Sequence, residues 1–450
     1  MLNYELDDKN KYYSLYLKIR DDILSGKLEK NFQLPSKRQM AENLSVSVIT
    51  VQNAYEQLLA EGYIHSLERS GYFVSEVGGD FHGEREIPVL QEEEKESYKI
   101  DFVNGSPPSE FFPFSVWSRL MRKVLSDCGE HLLERVPCDG DRELKRALAS
   151  YLYRARAIEV DPRYIVIGAG AEYLYGIVVQ LLGRDKLYAI ENPGYGKIYS
   201  SYTLNGARVK PITVLGSGID CNEVEKSGAD VVHFSPSHQF PTCAVTPVSS
   251  RLRLIKWANG NDKYIIEDDY DSEFRLVGKP LQCAHHLCPD RVIYMNTFSK
   301  SLAPSMRMGY MILPPKLYER YLKLFGQSAC AVPLFEQKTL AKMIDEGYFE
   351  RHIARLKSKY RSIRAAIYDK IDSLPFPVTV RDTGSGLHLL ISFPFAKSEE
   401  DVKETAKRNG INLKCLSDYV LSPVSVRKNC AVINYSGVTE KQIADINIKN

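Results

Sequence analysis

The sequence predicts a multidomain chain. A small α+β unit of three helices and a hairpin is joined by an acidic linker to a large α/β unit built on a mostly parallel sheet. Three observations carry this. At 450 residues the chain exceeds one ordinary domain. Residues 76 to 96 hold eight acids and two bases, with Gly78, Gly79, Gly83 and Pro88 among them, the composition of an exposed, self-extending linker. Beyond it, strand, turn and helix signals alternate from Tyr164 through Pro314, as a parallel sheet covered by helices requires. The boundaries read from these signals are 11–76 for the first domain, 77–99 for the linker and 100–450 for the second domain, whose smaller subdomain begins near 316.

Composition narrows the classes. Hydrophobic residues form 44% and charged residues 26% of the chain, the balance of a water-soluble globular protein. No apolar run approaches the ~20 residues needed to cross a bilayer. Met1-Leu-Asn-Tyr-Glu-Leu-Asp-Asp8 is too polar for a secretory signal, so no membrane is expected as a partner. Nine cysteines without regular spacing read as the reduced thiols of a cytoplasmic protein. Cys283 and Cys288 lie near His285 and His286, but the spacing fits no common zinc pattern and no metal is expected. The net charge of +2 says little about partners. Residues 11 to 75 hold eight Lys/Arg against seven Asp/Glu, so nucleic-acid binding cannot be argued from charge.

In the first domain, Tyr12, Leu15, Ile19 and Ile23 fall on one helical face, and Gly26 supplies a stop. Ser36 and Gln39 form a capping box that opens a second helix running to Leu44. A third helix starts at Ser47 and runs to about Ala60. Its buried face is Val51, Ala54, Tyr55 and Leu58, which leaves Ile49, Gln52, Asn53 and Glu56 outward. Two short strands follow about the turn Glu68-Arg-Ser-Gly71. Three helices and a hairpin of this size make either a winged helix-turn-helix or a small helical cap or dimerisation unit.

The second domain opens at Asp101-Phe-Val-Asn-Gly-Ser-Pro-Pro108, and a helical pattern spans Asp141 to Ala155. Strands are expected at 164–167, 187–190, 231–234, 264–267 and 292–295, and a long helix at 348–371. Ligands in such sheets gather where strands end, and four unusual stretches fall there. Ile165-Val-Ile-Gly-Ala-Gly-Ala-Glu172 runs from a strand through glycines into a helix start, where the backbone of Gly170, Ala171 and Glu172 suits phosphate. Glu191-Asn-Pro-Gly-Tyr195 offers an aromatic face. Ile265-Ile-Glu-Asp-Asp-Tyr-Asp-Ser-Glu-Phe274 ends in acids that repel one another unless a cation sits among them. Asn296-Thr-Phe-Ser-Lys-Ser-Leu-Ala-Pro-Ser-Met-Arg-Met-Gly309 places the hydroxyls of Thr297 and Ser299 and the fork of Arg307 about one lysine. Among such cations and dipoles Lys300 is expected to have a lowered pKa and to act as a nucleophilic amine. A phosphate clamp beside such a lysine is what covalent attachment of pyridoxal 5′-phosphate (PLP) needs.

In this order and spacing the four stretches resemble the type I aminotransferases over roughly residues 100 to 450. The resemblance implies a PLP-dependent transferase fold of type I with large and small subdomains. By position, Lys300 would carry the cofactor, Asp268 would face the pyridine nitrogen, Tyr270 would bond the ring oxygen and Tyr195 would stack on the ring. Gly170, Ala171, Glu172, Thr297, Ser299 and Arg307 would hold the phosphate. Two departures stand out. His238-Gln-Phe-Pro-Thr-Cys243 replaces the family's asparagine-proline-threonine-glycine run. The arginine that grips a substrate α-carboxylate is missing from Ala431-Val-Ile-Asn-Tyr-Ser436, with Arg427 the nearest.

Leu34-Pro-Ser-Lys-Arg38, Ser47-Val-Ile-Thr-Val-Gln-Asn-Ala-Tyr-Glu56, Glu61-Gly-Tyr63 and Ser70-Gly-Tyr-Phe-Val74 resemble the GntR family of bacterial regulators. That likeness implies a winged helix-turn-helix on double-stranded operator DNA. Ser36 and Arg38 would contact DNA from the second helix, Ser47, Thr50 and Gln52 from the recognition helix, and Ser70 and Gly71 from the wing. Val48 stands where many relatives have arginine, leaving a thymine-methyl contact as one substitute. The two halves together resemble the MocR subfamily. This implies a cytoplasmic transcriptional regulator that senses a small amino compound through PLP, usually as a head-to-tail homodimer, with at most slow transamination. A working aminotransferase with an appended scaffold, and a DNA-binding protein that has lost PLP, are the alternatives.

Overall fold

The computed structural model describes residues 2, 4–7, 10–68, 70–77, 98–278 and 281–446. Apart from Val77, Tyr98 and Lys99, the expected linker lies outside the described residues. The chain divides into two compact units, 1–95 and 96–450.

The first unit contains α1 (Lys11–Leu24), α2 (Lys37–Leu44) and α3 (Val48–Ala60), then β1 (Ile64–Leu67) and β2 (Gly71–Val74), which pair antiparallel. Gly26 follows the α1 cap at φ +73°, a left-handed position that favours glycine. The Ser36–Gln39 capping box closes the start of α2 with both of its hydrogen bonds. Leu15, Ile19, Ile23, Val51, Ala54, Tyr55 and Leu58 meet in one core with Ile64 and Val74. Tyr12, expected inside, is 38% exposed, and Tyr16 is buried instead. The first turn of α1 overhangs the core, and the Tyr16 hydroxyl reaches back to Glu61 at 2.6 Å.

The second unit begins with β3 (Ile100–Asp101), α4 (Phe114–Cys128) and α5 (Arg142–Arg156). There follow β4 (Ile165–Gly168), α6 (Ala171–Leu182), β5 (Leu187–Asn192), α7 (Gly196–Leu204), β6 (Arg208–Leu215), β7 (Gly218–Ile219), α8 (Cys221–Lys226) and β8 (Val231–Phe234). Next come α9 (Val248–Gly260), β9 (Tyr264–Asp268), α10 (Ala284–Leu287), β10 (Val292–Thr297) and β11 (Gly309–Ile312). The sheet order is β4-β11-β10-β9-β8-β5-β6-β7. Strands β10, β9, β8, β5 and β6 pair in parallel, and β11 runs antiparallel between β10 and β4. Successive residues feed opposite faces: Ile265 and Val292 meet α8 and α9, while Ile266 and Ile293 meet α6.

The five expected strands are present. Strands β6, β7 and β11 of the large sheet were missed, because β6 is largely half-exposed and contains Pro211, β7 has only two residues and β11 only four.

The remainder comprises α11 (Pro315–Phe325), α12 (Leu334–Asp345), α13 (Tyr348–Asp372), β12 (Thr379–Arg381), β13 (His388–Ser392), α14 (Glu399–Arg408), β14 (Ile411–Asn412), β15 (Lys414–Cys415), β16 (Cys430–Asn434) and α15 (Glu440–Ala444). Strands β12-β13-β16-β15 form an antiparallel sheet, and β14 pairs in parallel with β3. The smaller subdomain is therefore not the simple run from 316 to 450. Leu317 and Tyr321 of α11 join the core of the large sheet, while Ile100 from the start of the unit is bound to Ile411.

Candidate cofactor and DNA sites

Strand register brings the predicted residues to one end of the large sheet. Met295 stands opposite Asp268, Thr297 opposite Gly309, and Gly309 opposite Gly168, so Lys300 and the glycine turn before α6 leave adjacent strands at the same edge. Gly170 caps α6 at φ +89°. A Cβ there would lie 3.2 Å from the guanidinium carbon of Arg307, so this cation sits over the helix N-terminus. Arg307 is itself left-handed, at φ +47°.

The Lys300 amine donates to the Gly105 carbonyl at 2.6 Å and to Ser436 Oγ at 2.9 Å. Burial lowers its pKa to about 8, against the opposing pull of Asp271. A Cβ at Gly105 would collide with the lysine amine and with the Asn434 side chain, so any larger residue there would have to push the amine aside. Ser436 Oγ also donates within the segment, where Asn434 Oδ1 stands at 2.7 Å and the Gly105 carbonyl at 2.9 Å. Thus the stretch expected to bear a carboxylate-gripping arginine instead lends a hydroxyl to the lysine.

The acids at the end of β9 and just beyond it do have a cation among them, Arg156, but it pairs with Asp269 alone. Alternation along the chain sends each to its own partner. Glu267 accepts from the amides of Ala284 and His285 at 2.9 Å. Asp268 Oδ2 accepts from the Tyr175 hydroxyl at 2.5 Å and lies 3.4 Å from His233 Nε2. His233 Nδ1 is in turn 2.7 Å from the Tyr202 hydroxyl. Asp269 pairs with Arg156 and accepts from Tyr294 at 2.7 Å. Asp271 meets His238 Nδ1 at 3.0 Å, and burial pushes its carboxyl up to about 7. The His238 and His388 rings lie with centroids 4.0 Å apart and planes tilted by 39°, and burial pushes the His238 pKa down to about 3.

Other expected residues are placed less directly. The Tyr270 hydroxyl donates to the His238 carbonyl at 3.1 Å. Tyr195, 45% exposed, meets Phe240 edge-on. Ala171 opens α6, while the Glu172 side chain turns to Lys197 at 3.1 Å, which leaves only its backbone toward the turn. Ser299 is half-buried on the Lys300 loop. Gln239 is fully buried, donating to the Pro193 carbonyl after β5 and to the Phe240 carbonyl and accepting from the Thr242 amide. Arg427 lies 3.4 Å from Ser392 Oγ and lines, with Arg381, Thr242 and Pro193, a cleft of about 590 Å³.

Tyr175, His233, Gly105 and Ser436 were missed. The first two carried no local signal, because they approach Asp268 from α6 and β8. Gly105 lies in the opening stretch 101–108, and its partner Lys300 is 195 residues away. The cysteine–histidine group near 285 serves structure: Cys283 accepts from the His286 amide at 3.4 Å, and His285 Nδ1 meets the Val292 carbonyl at 2.9 Å.

On the first unit, Ser36 and Arg38 are exposed at the start of α2, Ser70 lies in the hairpin turn and Gly71 opens β2 opposite Leu67. Ser47 caps α3 by accepting from the Thr50 amide at 3.1 Å, and the two hydroxyls meet at 2.8 Å. Gln52 donates to Glu56 at 2.7 Å.

A helix-turn-helix reader on a chain whose larger part has the aminotransferase fold defines a class, the transcriptional regulators assembled from these two domains. Comparisons agree. Residues 11–74 match the bacterial regulatory proteins of the gntR family, and residues 113–444 match aminotransferase class I and II. The chain is 36% identical to the HTH-type transcriptional regulator YdeL of Bacillus subtilis, over 96% of this chain and 94% of that one. It is 30% identical to the probable rhizopine catabolism regulatory protein MocR of Rhizobium meliloti, over 96% of this chain and 91% of that one. A kynurenine aminotransferase from Pyrococcus horikoshii superposes with a TM-score of 0.69 at 22% identity, covering 78% of this chain and 89% of that one. The chain belongs to the MocR-type regulators, in which a GntR-type DNA-binding domain is fused to a class I and II aminotransferase domain. No helix among the described residues is long and apolar enough to cross a membrane.

Proposed function

We propose that this regulator holds PLP at Lys300 and uses it to sense a small amino compound, with the outcome expressed in how its N-terminal domain binds operator DNA in the cytoplasm. The observation that carries this is the Lys300 amine, fixed between Gly105 and Ser436 with its pKa lowered to about 8, at the sheet edge where Arg307 covers the start of α6. When bound, PLP supplies an aldehyde that takes up a primary amine reversibly and a ring that withdraws electrons.

The chain's own residues fit that group. Arg307, the amides of Gly170, Ala171 and Glu172, and the hydroxyls of Thr297 and Ser299 form an anion cradle. Asp268 is held by Tyr175 and His233 so that its carboxylate can keep a pyridinium proton in place. Tyr195 offers a ring face and Tyr270 a phenol. Lys300, with a pKa of about 8, is partly neutral near physiological pH and able to exchange with an incoming amine. Because β16 carries no arginine, an α-carboxylate lacks its usual grip and turnover should be slow. Ser36, Arg38, Ser47, Thr50, Gln52, Ser70 and Gly71 would face DNA, and the subfamily resemblance implies a head-to-tail homodimer with two such faces.

The test is to screen amino compounds against the PLP-loaded protein, reading the visible cofactor spectrum and DNA affinity together. A compound that moves both, with little keto-acid product, is the expected result, and Lys300→Ala should lose the DNA response. Rapid turnover of a common amino acid with no effect on DNA would overturn the regulatory reading.

A further inference from the structure

The recognition helix carries an unusual surface for a DNA reader. Val48 to Ala60 contain no Lys or Arg, so the commonest base-specific contact, a cationic side chain on guanine O6 and N7, is unavailable from α3. Its polar side chains are partly committed already: Ser47 and Thr50 bond each other at the cap, and Gln52 bonds Glu56. What stands free on the first turns is apolar. Ile49 is 69% exposed and Val48 43% exposed, while their neighbours Val51, Ala54 and Tyr55 are fully buried. Asn53, one turn beyond Ile49, is exposed as well.

We infer that Val48 and Ile49 are specificity-determining residues that read thymine methyl groups in the major groove, with Asn53 offering its amide to an adjacent adenine, so that the half-site under α3 is A·T-rich. The physical basis is matching of unlike needs. Two branched side chains left in water at the tip of a groove-binding helix gain by covering another apolar group, and the thymine C5-methyl is the only one a base pair presents there. Glu56, on the same face as Ile49, adds a negative charge that disfavours a path close to phosphate and favours amino-group donors on bases. Backbone grip then falls to α2, where Arg38 is exposed and Lys37 half-exposed. This inference depends on the DNA-binding function and is independent of PLP.

The experiment begins with selection of binding sites from a random duplex library by the full-length protein. In the enriched sites each thymine is then replaced singly by uracil, which removes only the methyl. Losing one covered methyl should weaken binding about fourfold, at one or more positions per half-site. In Ile49→Ala or Val48→Ala the same uracil substitution should have no further effect. Ile49 is too exposed for its truncation to unfold the head, and a circular dichroism spectrum of each variant checks this. If every uracil substitution is neutral, or the selected half-sites depend on guanine N7 as tested with 7-deazaguanine, the inference fails. A uracil effect that persists unchanged in both variants assigns the methyl contact to other residues and overturns it equally.

Discussion

The DNA-reading head and the lysine-bearing edge of the large sheet use polar residues in opposite ways. Around Lys300 each buried acid has a dedicated partner, and burial has moved the ionisation of Lys300, Asp271, Glu267 and Glu191 toward neutral pH. On α3 the groups are exposed, and the few hydrogen bonds are short local ones between neighbours. A site that performs chemistry has its electrostatics arranged before the ligand arrives. A surface that searches DNA keeps its side chains hydrated and takes its partners from the groove. The contrast can be broken at either end.

The largest stability effect is expected at Arg156. Its side chain is 5% exposed and pairs with Asp269, which is 0% exposed. Arg156→Ala would leave that carboxylate buried with the Tyr294 hydroxyl as its remaining side-chain hydrogen-bond donor among the described residues. Loss of one partner from a buried pair costs about 3–5 kcal/mol, to be read as a drop in the urea midpoint of the large domain. A variant within ~0.5 kcal/mol of the parent would show that the acid cluster is less dependent on its individual partners than its geometry implies.

Next in size is the dependence on two heads. With eight bases against seven acids over residues 11 to 75, one head gains little from phosphate. Linking two modules raises apparent affinity by about 10²–10⁴. Scrambling one half-site of a selected operator should therefore weaken binding by roughly two orders of magnitude, measured by gel shift at fixed salt. Equal affinity for one and two half-sites would break the dimer proposal.

The third expectation is a pH profile. Burial disfavours the ammonium form of Lys300, bringing its pKa down to about 8. Above that pH the amine is mostly neutral and reactive; below it the neutral fraction falls about tenfold per unit. Uptake of PLP by the cofactor-free protein should accelerate between pH 6 and 8 and level off beyond, followed by visible absorbance. A profile still rising through pH 10 would mean that the amine keeps an ordinary lysine pKa.

These outcomes also bear on what the sequence made legible. The capping box at Ser36, the buried face of α3 and the five expected strands were readable because each rests on local periodicity or on a local hydrogen bond. The grouping about Lys300 was readable because a strand, hydroxyls, a lysine and an arginine fall within fourteen residues. Partnerships were not. Tyr175 with Asp268, Arg156 with Asp269 and Gly105 with Lys300 join residues 93, 113 and 195 positions apart, and no local pattern encodes them. The partners of the acid cluster were hidden for the same reason: as a string it looks like one repelling patch, whereas side-chain alternation divides it. Tyr12 failed differently, since helical phase predicts which face a residue occupies but not where the core ends.

The smallest predicted effect decides the role of a residue on which sequence and structure give different emphasis. By resemblance Ser47 contacts DNA, whereas the structure has its hydroxyl accepting from the Thr50 amide and meeting the Thr50 hydroxyl at the start of α3. A hydroxyl that caps can still touch phosphate, but its loss is then felt first in the helix. Ser47→Ala removes the side-chain acceptor of the Thr50 amide, which then keeps only its bond to the Ser47 carbonyl at 3.0 Å, at a cost of about 1 kcal/mol. Ser47→Asp keeps the cap while adding a charge that DNA would repel. In the full-length protein, hydrogen exchange of the first α3 amides should quicken roughly fivefold in Ser47→Ala and stay near parental in Ser47→Asp. Operator affinity should fall only a few-fold in the first and much further in the second. If Ser47→Ala loses affinity tenfold or more while α3 exchange is unchanged, the hydroxyl serves DNA rather than the helix, and the reading head is more preorganised for its ligand than the comparison with the Lys300 site suggests.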